Sequence, residues 1–212
     1  MGQRLSRAEQ NDRNRALLLA AALRVFLARG YHAATLELIA DEAGFSKGVV
    51  YSRFTSKADM FLALLTDRIA ERAAQNASAA GQLVDSGPAA LLELAWRAER
   101  DSPGWRLLVT EFRVHAARDP ELSRRYALAH ARTVDGIARA LASIAERNGH
   151  ALAVPARQLA EVLLAIETGL ALEQLADPGA VSLLQLPPVL SELAALTAGS
   201  PAPGEIDEVR HS

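Results

Sequence analysis

The chain has 212 residues, half of them hydrophobic but only 5% aromatic, and its formal net charge is −2. Leu and Ala outnumber the β-branched residues, which favours helix over strand and supplies enough apolar surface for a buried core. The absence of Cys excludes disulfides, thiolate chemistry and Cys-based zinc sites, and suits a reducing, cytoplasmic setting.

The N-terminus, Met1 to Asn14, is polar and charged, and no apolar run approaches the ~18 residues a membrane span needs, so neither a signal peptide nor a span is expected. Prolines at 88, 103, 120, 155, 178, 187 and 188 punctuate Leu/Ala-rich stretches of 3.6-residue periodicity, as helix starts and stops do. The reading is all-α, with about nine helices and no sheet, over 12–29, 36–43, 46–53, 56–80, 88–101, 103–117, 120–148, 155–177 and 187–198. Residues 1–55 are expected to form one domain, 56–198 a second, and 199–212, rich in Pro, Gly and charge, a disordered tail.

Charge divides the same way. Residues 1–60 hold nine Arg and Lys against six Asp and Glu, while residues 61–212 hold fourteen against nineteen. A basic head on an acidic body fits a polyanion-binding unit fused to a non-binding one. The only two lysines, Lys47 and Lys57, lie in the head.

The informative segment is 35–57. Thr35 is suited to cap the helix 36–43, Gly44 supplies a turn, Ser46 caps the next helix, and Ser56-Lys57-Ala58-Asp59 has a capping-box pattern. Two short helices joined by a tight turn containing glycine form a helix-turn-helix. Ala40, Gly44 and Val50 have sizes that fit its junction, with Phe26, Leu36, Ile39, Phe54 and Phe61 as the remaining core. With Val50 and Phe54 inward, a 100° step per residue places Gly48 and Ser52 on the outer face. Small residues there let the backbone sink into a major groove. Lys47 in the first turn can reach a base edge or a phosphate. Thr35, Tyr51 and Lys57, at helix starts or flanks, suit phosphate oxygens, although Tyr51 could equally be a partly buried core residue.

The run Thr35-Leu-Glu-Leu-Ile-Ala-Asp-Glu-Ala-Gly-Phe-Ser-Lys-Gly-Val-Val-Tyr-Ser-Arg-Phe-Thr-Ser-Lys57-Ala-Asp-Met-Phe closely resembles the DNA-binding signature of tetracycline-repressor-family regulators. The helix before it, ending in Gly30-Tyr31, fits as well, so the likeness covers roughly residues 12–64; Ser52 and Arg53 depart from the aromatic or His residues often found there. The resemblance implies a homodimeric transcriptional repressor, with activation left open, whose two recognition helices enter successive major grooves of a palindromic operator in double-stranded DNA, about 34–36 Å apart. It implies Thr35, Ser46, Tyr51 and Lys57 as backbone contacts and Lys47, Gly48 and Ser52 as the base-reading edge. It also implies a small-molecule effector that shifts the spacing of the heads, with the helix 56–80 as lever.

In the body, Trp96, Trp105, Phe112, Tyr126 and His130 are candidate walls of a ligand pocket, with Glu111, His115 and Glu167 as polar orienters. Taken singly, each reads more readily as plain core or surface. Glu111 and His115, one turn apart, could pair. A hydrophobic or amphipathic ligand is expected. Leu159, Val162, Leu163, Ile166, Leu170 and Leu175 form an apolar stripe that, with Val189, Leu190, Leu193 and Leu196, could build either intrachain core or an intersubunit bundle. Gly169 inside that helix suggests a close crossing. Five scattered His, no His-x-x-x-His or Glu-x-x-His pair on an expected helix face, and no phosphate loop or nucleophile motif give no reason to expect an enzyme, a metal site or a cofactor.

Overall fold

The computed structural model describes residues 6–82, 103–149 and 151–181, together with five positions between 185 and 192. Among the described residues there are seven helices and no strand: α1 (Arg7–Ala33), α2 (Leu36–Ala43), α3 (Lys47–Tyr51), α4 (Lys57–Gln82), α5 (Pro103–Ala116), α6 (Pro120–Arg147) and α7 (Ala156–Ala176). The count is seven where about nine were expected. The expected helix 88–101, the tail and most of 187–198, with Leu190, Leu193 and Leu196, lie outside the described residues.

α1 starts five residues earlier than expected. Ser6 and Glu9 form a full capping box, the Glu9 carboxylate accepting the Ser6 N–H at 2.7 Å and the Ser6 hydroxyl accepting the Glu9 N–H at 3.2 Å. The helix is interrupted at Gly30 (φ 73°, ψ 169°), a conformation open to glycine alone, and resumes for one more turn. By length and composition α1 could cross a membrane. Leu18, Leu19, Ala21, Ala22, Val25 and Phe26 on one side of it are buried in the protein core, while Leu17 and Leu27 are exposed.

α2 ends where expected, at Gly44 in the left-handed region (φ 70°), whose N–H closes onto Ala40 and Asp41. α4 is capped by Ser56, whose hydroxyl accepts the Asp59 N–H at 3.0 Å, while Asp59 reaches back to Thr55. Asp119 caps α6 through the N–H groups of Glu121 and Leu122, with Pro120 in the first turn.

α1 packs on α2, α4 and α5; α4 lies along α6; and α6 is flanked by α5 and α7. One apolar core runs without a break from Leu18 in α1 through Phe54, Phe61 and Phe112 to Ala129 in α6. A smaller cluster, centred on Val134, Leu141 and Ala160, joins α6 to α7. Two ion pairs brace the junction, Arg15 with Asp67 (2.8 Å) from α1 to α4, and Arg125 with Asp59 from α6 to α4.

Candidate nucleic-acid interface

The two sides of α3 are built from different materials. Val50 and Phe54, inward, are buried with Ala40 and Ile39 of α2. That packing fixes the angle between the two short helices and turns Lys47, Gly48, Tyr51 and Ser52 to solvent. A Cβ built on Gly48 would meet only the Ser46 hydroxyl, at 3.9 Å, so the absent side chain leaves open space outside the protein. Tyr51 is 50% exposed and is therefore not a core residue.

Polar contacts hold most of these side chains in place. The Tyr51 hydroxyl donates to Glu37 of α2 at 2.6 Å. That bond draws the Glu37 carboxyl below its ordinary range and pushes the Tyr51 phenol above its own. Glu37 was not among the expected site residues, although its position one residue into α2 puts it across from α3. Thr35 caps α2 as expected, its hydroxyl accepting the Leu38 N–H at 3.2 Å. Ser46 holds the cap position of α3 without a side-chain bond to it. The Ser52 hydroxyl donates back to the Val49 carbonyl at 2.9 Å. Arg53, just past α3, donates to the Asn11 carbonyl at 3.2 Å and ties the start of α1 to the end of α3.

Lys57 stands apart from this face. Its ammonium donates to the carbonyls of Tyr31 (2.6 Å) and His32 (2.9 Å) and lies 4.6 Å from the centre of the Tyr31 ring. Two of its three donors are thus committed to the end of α1, and burial pulls its pKa down.

In the body the aromatic candidates do come together. Phe112 is fully buried and stacks on Phe61 (4.2 Å between centroids), which in turn stacks on Trp105 (6.0 Å). Tyr126 meets Phe112 at 5.9 Å and stacks on His130 at 5.9 Å. Arg68 covers the Trp105 ring at 4.4 Å. Burial raises the Tyr126 phenol and lowers His130, the latter aided by the Arg113 charge. Trp105 and Phe112 are closed core in this structure. Glu167 is half-buried on α7, and Trp96 lies outside the described residues.

Two expectations need correcting. Glu111 does not pair with His115: its carboxylate accepts the backbone N–H of Tyr31 at 2.7 Å, a residue whose ring packs on Phe61 and Phe112. In place of pairing with it, His115 packs its ring on Tyr31 (5.1 Å) and His32 (5.5 Å). A contact spanning eighty positions leaves no mark in local sequence spacing. Gly169 makes no close crossing among the described residues, with nothing within 4 Å of the place its Cβ would take.

A short helix locked inward by Val50 and Phe54 and presenting small and hydrogen-bonding residues outward, joined to its partner through a left-handed glycine, defines a helix-turn-helix DNA-binding regulator. Residues 18–64 match the family model for bacterial regulatory proteins of the tetR family, and residues 89–198 match that for the C-terminal domain of BetI-type transcriptional repressors. The chain belongs to the tetR family of transcriptional regulators. It is 52% identical over 64 residues to the transcriptional activator FasR of Mycolicibacterium smegmatis, a match covering 30% of this chain and 27% of the relative's length. The fatty acid degradation regulator FadR of Bacillus halodurans shares the fold, with a TM-score of 0.64 at 15% identity over 94% of this chain and 99% of that one. So does a transcriptional regulator of Saccharomonospora viridis in complex with choline, with a TM-score of 0.62 at 22% identity over 87% and 96%.

Proposed function

We infer that the chain is a homodimeric repressor that leaves a palindromic operator when its body binds a small hydrophobic or amphipathic molecule. The observation that carries this reading is the two-sided α3, fixed within and small without. Around it Thr35 and Ser46 hold phosphates, Tyr51 does so on releasing Glu37, Lys57 offers its third donor, and Lys47, Gly48 and Ser52 meet base edges. Residues 1–55 act as the head and 56–198 as the regulatory body, working in the cytoplasm where the DNA is.

One feature supports pairing of the chain with its own copy: Val162, Leu172 and Leu175 of α7, and Val181 and Val189 beyond it, are exposed. For the ligand, the half-buried Tyr126 and His130 at one end of the aromatic row offer ring faces, with the closed core of Phe112 and Trp105 behind them. The FadR of similar fold is named a regulator of fatty acid degradation, and the Saccharomonospora regulator carries choline, a small organic cation, which supports a small organic molecule as effector. The C-terminal match to a repressor type favours repression. A ligand can move the DNA equilibrium only by its unequal affinity for the two states, about 1–3 kcal/mol in typical cases.

The test is fluorescence anisotropy on a duplex taken from upstream of the chain's own gene. The protein should sediment as a dimer and bind that duplex more tightly than a scrambled one. Compounds that raise its melting temperature should release it. Equal affinity for both duplexes, with and without such compounds, would overturn the reading.

A further inference from the structure

We propose that Glu111 is a positioning residue for DNA binding, its carboxylate setting the angle at which the body carries the head. The inference rests on the paired-head reading above and adds to it a second connection, independent of α4.

The argument starts at the backbone. Gly30 breaks α1 (φ 73°, ψ 169°), so the N–H of Tyr31, whose ring is almost wholly buried, leaves the helical ladder. A buried N–H must find an acceptor, and the one it finds is charged, from another helix, at 2.7 Å. The approach depends on the missing side chain: a Cβ on Gly30 would stand 3.1 and 3.3 Å from the two Glu111 carboxylate oxygens. On the other side of the same bend Lys57 binds the Tyr31 and His32 carbonyls. One turn of backbone is therefore held at its N–H by α5 and at its carbonyls by α4. Only Ala34 and Thr35 separate that turn from α2, so its orientation is handed to α2 and α3 with little slack. Glu111 also shares α5 with Trp105, Phe112 and His115. A displacement of α5 by a ligand would pull directly on the bend.

The experiment uses the full-length protein, the operator defined by footprinting upstream of its own gene, the same duplex with one half-site scrambled, and duplexes with one or two base pairs added between half-sites. Glu111→Ala should lose on the order of tenfold in affinity for the two-half-site duplex, hold its affinity for the single half-site, and respond less to spacing. Glu111→Gln keeps an acceptor oxygen and should restore most of the loss. Should the Ala variant fail to fold, Glu111→Asp, which withdraws the carboxylate by one methylene, should show the same selective loss. An unchanged ratio between the two duplexes, or an equal fall on both, would overturn the proposal, the second outcome marking Glu111 as structural only. Should the parent protein itself fail to distinguish the two duplexes, the paired-head reading falls first, before any variant is made.

Discussion

In the head, from Ser6 to Ser56, the helix boundaries carry short-range devices: the Ser6–Glu9 box, the Thr35 cap, the left-handed Gly44 and the Ser56 cap. In the body, Pro103 and Pro120 start helices in the same local way, but the faces those helices present are chosen at a distance. Phe112 stacks on Phe61, Arg125 reaches Asp59, and Glu111 reaches Tyr31. The difference follows from what each part must fit. A duplex has fixed dimensions, so the surface that meets it is specified by spacing and side-chain size. A pocket is shaped to a molecule, and residues that line a pocket are the same types that fill a core.

The contrast would break most visibly if head and body proved to be separate folding units. Because one core runs through both, Phe112→Ala should cost about 3–5 kcal/mol and lower a single melting transition that takes DNA binding with it. Two resolved transitions in calorimetry, with only the second displaced, would show that the shared core is not cooperative.

A smaller effect is expected at the bend. Gly30→Ala forces a side chain into glycine-only backbone and against the Glu111 carboxylate, and should cost roughly 1–3 kcal/mol by urea denaturation. A neutral result would mean that the bend relaxes freely.

The smallest effect sharpens the description of the body. His130 is lowered mainly by burial, so the folded state resists its protonation while the unfolded chain accepts the proton near its ordinary value of about 6.5. Stability tied to His130 is thus present above that pH and lost as pH falls through it. Melting curves between about pH 5 and 8 should therefore decline more steeply on the acid side for the parent than for His130→Gln. Superimposable profiles would remove His130 from the buried row.

Much of the head is legible in the sequence. Thr35 before an apolar run, Gly44 four residues after Ala40, and Val50 with Phe54 at a helical interval each have one local physical reading, and the structure follows it. The Ser6-x-x-Glu9 signal was equally local and went unread, which placed the start of α1 too late. Glu37 was less visible, since its role depends on a hydroxyl fourteen positions away. In the body, Pro103, Pro120 and Pro155 marked helix starts to within a residue. The bond of Glu111 was not legible, because its partner is a backbone N–H freed by a glycine in another helix.

The claim on which the account depends is that the outer face of α3 is small because DNA must come close to it. Gly48→Gln tests this with least disturbance, since a Cβ at position 48 meets only the Ser46 hydroxyl at 3.9 Å and replacing a helical glycine gains up to about 1 kcal/mol. The account predicts a melting temperature equal to or above the parent's, together with operator affinity reduced to the level of scrambled DNA. A variant that melts like the parent and still binds the operator as tightly would contradict it.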